Sequence, residues 1–332
     1  MKFKDYITYW HSTYRAPRQS KNTAAGIQAS IRVHIESSKL GNMDISDIDV
    51  SDIQAFLTEL LISGNKSKIF NMNRFGQPLA KSTVNKIRQI IIAAMQQAVK
   101  EKIISINPAL DTEIIPVRTK PANFFSFEAQ QEFLEHTKNH RFHAAYLLMF
   151  YTGLRRGEVL GLSWNNINFK RNYVFISQIL TMEEGKPVLY KNHAKTSRSI
   201  RLIPIPAQIK KEILLIRSRQ KEEKKDCPDW SNPDGLVFCN KDGSPHNPNY
   251  FTRNFKNTLI RMGLPSDLHL HSTRHTWATN MVQLGIPLSD IQALGGWSRP
   301  DVLLRIYAHT LQDSQKKAIN KLWKQFNNNP DK

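Results

Sequence analysis

The chain has 332 residues, enough for two domains of ordinary size, and 47 Lys and Arg against 28 Asp and Glu give a net charge of +19. That excess favours a polyanionic partner, either nucleic acid or an anionic membrane surface. A hydrophobic fraction of 40% excludes a wholly disordered chain. Apolar runs are far shorter than the roughly 20 residues that cross a bilayer, and no secretory signal is visible. The two cysteines lack the spacing of a zinc site and are typical of a cytoplasmic protein.

The N-terminal region is predicted to be helical. Apolar residues recur at helical spacing in four segments: 3–14, 24–37, 53–60 and 84–98. Ser51 or Asp52 is expected to cap the third segment, and Ser82 the fourth. The polar stretch 65–78, which contains Gly76 and Pro78, predicts a loop between them.

A proline-containing stretch at 108–123 predicts the boundary between two domains. It contains Pro108, Pro116 and Pro121 together with basic side chains. Proline lacks a backbone donor and disfavours helix in the residue before it, so this stretch suits a linker. We therefore expect a helical domain over 1–107, a linker over 108–123 and a second domain over 124–332.

The second domain is predicted to be mainly α with a small antiparallel β-sheet. Helices are expected over 126–138, 141–152 and 155–163, and strands over 172–180, 188–190 and 199–203. Glu184-Gly185 predicts the turn between the first two strands, and helices dominate after Pro206.

The first motif with chemical potential is Thr-Gly-Leu-Arg-Arg-Gly-Glu at 152–158. On a helix, Arg155 and Glu158 are three residues apart and share a face. An arginine held by a carboxylate presents a fixed guanidinium fork that suits a phosphate. The alternative is a purely structural ion pair.

The second motif is His-Ser-Thr-Arg-His at 271–275. His271, Arg274 and His275 are expected on one helical face, where an imidazole moves a proton beside a guanidinium that grips phosphate oxygens. Structural histidines are the alternative. A metal site built on His271 and His275 lacks an evident third ligand. A helix junction expected at Asn139-His140 argues against a metal site at His136, His140 and His143.

The third motif is Leu-Gly-Gly-Trp at 294–297, followed by Tyr307. A tyrosine with a pKa near 10 is a poor nucleophile at pH 7. Lowering that pKa by three units needs about 4 kcal/mol of phenolate stabilisation. Two or three cations and a nearby base supply stabilisation of this size. The alternative is a tyrosine that only packs.

These motifs occur in the order typical of one enzyme family. Thr-Gly-Leu-Arg, a basic hairpin with Lys195-Thr196, His-x-x-Arg-His, Leu-Gly-Gly-Trp and Tyr-Ala-His follow one another across 153–309. Each is weakly specific, but the ordered set resembles the tyrosine recombinases, that is, the phage-type integrases of phages and integrative conjugative elements. The segment 82–108 also resembles the helical core-binding domain of these integrases. The resemblance covers nearly the whole chain.

The resemblance implies a helical core-binding domain followed by a mixed α/β catalytic domain. It implies a catalytic set made of Arg155, Lys195, His271, Arg274, Trp297 and Tyr307. Glu158 and His275 are expected to support this set, and Lys186 and Lys191 compete with Lys195 for the role of the hairpin lysine. The basic side chains expected to contact DNA are Lys81, Lys86, Arg88, Arg198 and Arg201.

The reaction that the resemblance implies is cleavage and rejoining of double-stranded DNA through a 3′-phosphotyrosyl link, for integration or excision of a mobile element. It requires neither ATP nor a metal, so no cofactor is expected. The apolar stripe in 315–326 suits a C-terminal helix exchanged between protomers of a DNA-bound tetramer, with accessory DNA-bending or excision factors as further partners. The alternatives are a type IB topoisomerase, a resolvase and a non-catalytic DNA-binding regulator.

Overall fold

The computed structural model describes residues 1–66, 74–117, 123–191, 200–299, 319–320 and 322–323. The chain divides into two compact units, Met1–Lys120 and Pro121–Lys332. This division falls within the stretch that the sequence predicts as a linker. Over the described ranges, no helix combines the length and the apolar character needed to cross a membrane.

The first unit is built from α-helices. They are α1 (Phe3–Trp10), α2 (Lys21–Ser30), α3 (Lys39–Asn42), α4 (Val50–Ser63) and α5 (Lys81–Lys100). Turns of π-helix at His11–Arg15 and Ile31–Ile35 follow α1 and α2. The side chain of Asp49 caps α4 by accepting from the Asp52 N–H, two residues before Ser51, the first cap that the sequence suggests. The apolar faces of these helices meet in one core, which includes Phe3, Trp10, Ile53, Phe56, Ile91 and Met95.

The predicted linker begins too early. Pro108–Asp111 forms a 3-10 turn in which Ala109 is buried in the core of the first unit. The Asn85 side chain on α5 donates to the Ile115 carbonyl and accepts from the Ile115 N–H. Residues 108–115 therefore belong to the first unit, because their backbone groups find partners on its helices.

The second unit contains α-helices of varied length that pack around a core rich in aromatic side chains. They are α6 (Phe127–His136), α7 (His143–Thr152), α8 (Arg156–Leu160), α9 (Ala207–Asp226), α10 (Pro248–Arg261), α11 (Ser272–Gln283) and α12 (Leu288–Gly295). Ser126 caps α6 by accepting from the Ala129 N–H, as the sequence predicts. The core includes Phe125, Phe133, Tyr146, Phe150, Phe251 and Phe255; edge-to-face contacts join Phe125 with Phe150 and Phe133 with Tyr146.

Two small antiparallel sheets complete the second unit. The strands are β1 (Ile167–Asn168), β2 (Tyr173–Ile176), β3 (Gln178–Glu183), β4 (Lys186–Lys191) and β5 (Arg201–Pro204). One sheet has the order β1-β2-β5, and the other is the β3–β4 hairpin, which pairs Leu180 with Leu189. Glu184 and Gly185 both have positive φ, which confirms the predicted turn.

Candidate active site

Arg155 lies in the short connection between α7 and α8. Gly153 ends α7 in the left-handed region at φ 65°, which favours glycine. A Cβ at this position would also collide with the ring of Trp277, so glycine is required for two separate reasons. The chain then extends through Arg155, whose N–H donates to the Glu158 carboxylate at 2.8 Å. Arg155 therefore lies before the first residue of the helix. The expectation from the sequence that Arg155 and Glu158 share a helical face is wrong. The two side chains still form an ion pair at 3.0 Å.

His271 and His275 lie at the start of α11. Their ring centroids are 4.8 Å apart with the ring planes nearly perpendicular. The ring of His271 packs against protein atoms, although the residue keeps solvent-exposed surface. Desolvation, reinforced by the charges of His275 and Arg274, lowers the pKa of His271 to about 4, and desolvation lowers the pKa of His275 to about 4 as well. Both imidazoles are neutral at pH 7 and can accept a proton.

Arg274 is buried at the centre of this site, with 1% of its surface exposed. One Nη donates to the Gly153 carbonyl at 2.6 Å and the other to the Gly295 carbonyl at 2.6 Å. Its Cζ lies 3.7 Å from the centre of the Trp297 ring, which is a cation–π contact. The guanidinium is thereby fixed on two edges and one face.

Trp297 forms one wall around Arg274. Its ring stacks on Trp277 with the centroids 6.0 Å apart and an interplanar angle of 12°. A Cβ at Gly295 would collide with the Trp297 ring, so the first glycine of the Leu-Gly-Gly-Trp motif leaves room for the indole. The indole contacts the guanidinium through its face; the place of Trp297 in the catalytic set stays a prediction.

The C-terminal end of α12 gathers three arginines. Arg201 Nε donates to the Leu294 carbonyl at 2.6 Å, Arg274 to that of Gly295 at 2.6 Å, and Arg155 to that of Gly296 at 3.1 Å. The last carbonyls of a helix have no partner within it and carry partial negative charge, so they attract guanidinium groups. This helix end therefore holds together arginines that are far apart along the chain.

Arg201 corrects one prediction. The sequence places it among the DNA contacts, but only 6% of its side chain is exposed. Its two Nη atoms donate to the two oxygens of Glu158, both at 2.9 Å. Burial opposes the charge of that carboxylate, but the bonds from Arg201 and the charge of Arg155 hold the pKa of Glu158 below its usual range. Arg201 is thus committed to Glu158 and not to solvent.

Arg88 corrects a second one. It lies on α5 with 5% of its surface exposed, and its Nε donates to the Thr112 hydroxyl at 2.7 Å. One Nη donates to the carbonyls of Thr112 and Leu110, at 2.6 and 3.3 Å. The side chain therefore anchors the 3-10 turn to α5 and does not reach DNA. Lys81 and Lys86 are exposed on the same helix and stay predicted DNA contacts.

Three predicted residues, Lys195, Arg198 and Tyr307, lie outside the described residues, and so does most of the predicted C-terminal helix. Of that helix, Ile319, Leu322 and Trp323 are described; they are helical and exposed. Among the described residues, no cluster of three or more His, Cys, Asp or Glu side chains is arranged to hold a metal ion.

Sequence reasoning missed Trp277 and the packing roles of Gly153, which leaves room for the Trp277 ring, and Gly295, which leaves room for that of Trp297. Both glycines belong to the motifs, and the available signal was a glycine two residues before an arginine or a tryptophan. The role of Arg201 had no such signal. Its partner Glu158 is 43 residues away in sequence.

The sequence profile of the phage integrase family matches residues 123–314, more than half of the chain, and that of the phage integrase N-terminal SAM-like domain matches residues 2–61. This chain belongs to the phage integrase family. It is therefore a site-specific DNA recombinase that breaks and rejoins strands, as the resemblance implies.

A XerC-like tyrosine recombinase of Caldanaerobacter subterraneus subsp. tengcongensis is 29% identical over 327 residues, which cover 93% of this chain and 80% of the relative. The ICEBs1 integrase of Bacillus subtilis is 25% identical over 284 residues, covering 85% and 74%.

Solved structures of similar proteins share the fold of this recombinase. The Tn1549 transposon integrase, in complex with a circular intermediate DNA, has a TM-score of 0.80 at 20% identity and covers 97% of this chain and 99% of that one. A lambda integrase dimer on a core site has a TM-score of 0.62 at 13% identity, covering 92% and 77%. The expected mainly α fold with small antiparallel sheets is confirmed.

Proposed function

We propose that this recombinase integrates or excises a mobile DNA element through a covalent 3′-phosphotyrosyl intermediate. The observation that carries the proposal is the convergence of Arg155 and Arg274 at the C-terminal end of α12, where the two guanidinium groups bond to successive carbonyls. His271 lies three residues before Arg274, at the start of α11. Similarity to the ICEBs1 integrase and to the transposase of Tn916, 22% identical over 329 residues, supports a mobile element as the substrate.

The two arginines bind the non-bridging oxygens of the scissile phosphate. Negative charge builds on those oxygens in the transition state, and donors fixed beforehand stabilise it without reorganising. Arg274 is held by carbonyls on two sides, which makes it such a donor. Arg155 has 40% of its side chain exposed and is able to reach a bound phosphate.

Proton transfer is divided between His271 and Lys195. Tyr307 attacks the phosphorus, and the neutral imidazole of His271 takes the proton of its hydroxyl group. Lys195 gives a proton to the leaving 5′-oxygen of DNA. A 5′-hydroxyl from a partner strand then reverses the step, and the phosphotyrosyl bond conserves the energy of the broken ester, so ATP and metal ions are not required.

The active form is a tetramer on double-stranded DNA in the cytoplasm, assisted by accessory DNA-bending or excision factors. The exposed fractions of Ile319, Leu322 and Trp323, which are 65%, 53% and 70%, support docking of the C-terminal helix on a neighbouring protomer. Cysteines that are not joined in a disulfide, Cys227 and Cys239, suit a reducing compartment.

A nicked suicide substrate tests the function. Duplexes tiling the DNA that flanks the gene are nicked one base from each candidate cleavage point, so that the released fragment diffuses away and traps the adduct. We expect a protein–DNA adduct stable in denaturing gels, absent in Tyr307→Phe and retained in Tyr173→Phe, whose tyrosine is exposed on β2.

Other outcomes of this experiment contradict the proposal. An adduct that persists in Tyr307→Phe assigns the nucleophile to another residue. Binding with no adduct from any flanking duplex favours the non-catalytic regulator. Relaxation of supercoiled plasmids without regard to sequence favours the topoisomerase alternative.

A further inference from the structure

The structure assigns Arg201 a role in the reaction: it is a positioning residue that keeps Arg155 available to the scissile phosphate by occupying the carboxylate of Glu158. This inference rests on the proposed function. Arg201 acts through Glu158, whose carboxylate accepts hydrogen bonds from both arginines.

Glu158 is shared by four donors in a regular arrangement. Oε1 accepts from Nη1 of Arg155 at 3.0 Å and Nη1 of Arg201 at 2.9 Å. Oε2 accepts from the Arg155 N–H at 2.8 Å and Nη2 of Arg201 at 2.9 Å. Arg201 therefore makes the two-pronged contact, and Arg155 gives the carboxylate only one of its Nη atoms. The second Nη of Arg155 points to the Gly296 carbonyl.

Charge explains why this sharing affects DNA chemistry. Two guanidinium groups and one carboxylate leave a net charge of +1, and the buried member of the cationic pair is Arg201, at 6% exposure against 40% for Arg155. The surplus positive charge is thus carried by the arginine that faces solvent. Without Arg201, a carboxylate that is 4% exposed would be left with Arg155 as its cation. Arg155 would then turn its fork to Glu158, and the pair would be neutral toward a phosphate.

Arg201 also ties this pair to the rest of the site. Its Nε donates to the Leu294 carbonyl, directly before the carbonyls that receive Arg274 and Arg155. Arg201 opens β5, and Lys195 lies six positions before it in the sequence. One side chain therefore links the strand after the basic hairpin to the end of α12.

The chain offers a close control in Arg141. Its two Nη atoms donate to the two oxygens of Glu223, and its Nε donates to the Cys239 carbonyl, so the pattern of bonds matches that of Arg201. The partner of Arg141 is Glu223 on α9, whereas Arg201 pairs with Glu158, the carboxylate that also holds Arg155. Arg141→Met removes a similar amount of structural stabilisation without changing the charge beside Arg155.

The test measures single-turnover cleavage of the suicide substrate at saturating DNA, DNA affinity and thermal unfolding. We expect Arg201→Met to slow cleavage by about 30-fold or more while DNA affinity stays within about threefold, because most phosphate contacts lie elsewhere. Arg201→Lys, which keeps the charge but not the fork, is expected to fall between Arg201→Met and wild type. Arg141→Met is expected to lower thermal stability with cleavage within about threefold of wild type.

A double variant separates positioning from structural support. Glu158→Gln in the Arg201→Met background removes the charge that would otherwise capture Arg155, so cleavage should recover by about fivefold or more relative to Arg201→Met. If Arg201→Met does not fold, the same pair of measurements is made with Arg201→Lys, with and without Glu158→Gln.

Distinct results overturn the two proposals. A wild-type protein that forms no adduct contradicts the proposed function. A wild-type protein that forms one overturns only the role of Arg201 if the arginine variants cleave at the wild-type rate. The same conclusion follows if Arg141→Met loses as much activity as Arg201→Met, or if Glu158→Gln restores none.

Discussion

Arg88 in the first unit and Arg274 in the second are alike in burial and in bonding. They are 5% and 1% exposed, and each donates to two backbone carbonyls. Around Arg88 lie a threonine hydroxyl and the carbonyls of a 3-10 turn. Around Arg274 lie the face of Trp297 and, within three residues along the chain, the imidazoles of His271 and His275.

The comparison shows that a buried arginine is not by itself a functional one. Backbone carbonyls fix a guanidinium equally well in either unit, because they offer strong acceptors in a medium of low dielectric. Arg274 is distinguished by what shares its surroundings: a second guanidinium on the next carbonyl of α12 and neutral imidazoles able to take a proton. The role proposed for Arg274 rests on that combination.

The largest expected effect is that of Arg274→Ala. It should slow cleavage of the suicide substrate by about 1000-fold or more, since it removes a fixed donor to the transition state. Duplex affinity, measured by gel shift, should stay within about tenfold. Cleavage within tenfold of wild type would place the phosphate elsewhere.

Gly295→Ala should have the next largest effect. The added Cβ collides with the Trp297 ring, so the indole must leave the face of Arg274. We expect cleavage to fall by about 30-fold and the free energy of unfolding of the second unit to fall by about 2 kcal/mol. Gly26→Ala is the control, because a Cβ at Gly26 meets nothing within 4 Å. Equal effects of the two substitutions would show that the Trp297 contact is not involved.

Arg88→Met tests the other side of the comparison. It should destabilise the first unit by about 2 kcal/mol, because the Thr112 and Leu110 acceptors lose their donor. Cleavage at saturating DNA and the dependence of affinity on salt should not change. Lys81→Ala, on the exposed face of the same helix, should instead lower the slope of log K against log salt by about 0.9. A reduced salt slope in Arg88→Met would instead indicate that the Arg88 side chain contacts DNA.

The smallest expected effect concerns acid stability of the second unit. Desolvation lowers the pKa of His246 to about 3, below the value of 6.5 in the unfolded chain, so the folded state binds fewer protons. Stability is therefore complete above pH 6.5 and is lost as the pH falls toward 3, and His246 alone accounts for about 2 kcal/mol between pH 6.5 and 5. Urea unfolding at both pH values should show a smaller acid loss in His246→Leu. If His246→Leu loses as much stability at acid pH as wild type, His246 is not the cause. His136→Gln, at an exposed position, is the control.

Local pattern was sufficient for most of the described helices and for one contact within the predicted site. The spacing of Ile53, Phe56 and Leu60 predicts the buried face of α4, and the adjacency of Arg155 and Glu158 predicts their ion pair. Alternation over 172–180 predicts one strand, but the chain changes sheets at Ser177, between β2 and β3. The alternation of apolar and polar side chains has the same period in both sheets. It therefore does not indicate with which strand each half of the segment pairs.

The sequence by itself determined the family and the mainly α fold class, because ordered motifs and apolar periodicity are properties of neighbouring residues. Only the tertiary structure decided which arginines are committed to internal partners. Arg88 and Arg201 read as basic surface residues, yet their partners Thr112 and Glu158 lie 24 and 43 residues away. The exposure of a charged side chain depends on contacts made by folding, and those contacts join segments whose separation along the chain carries no local signal.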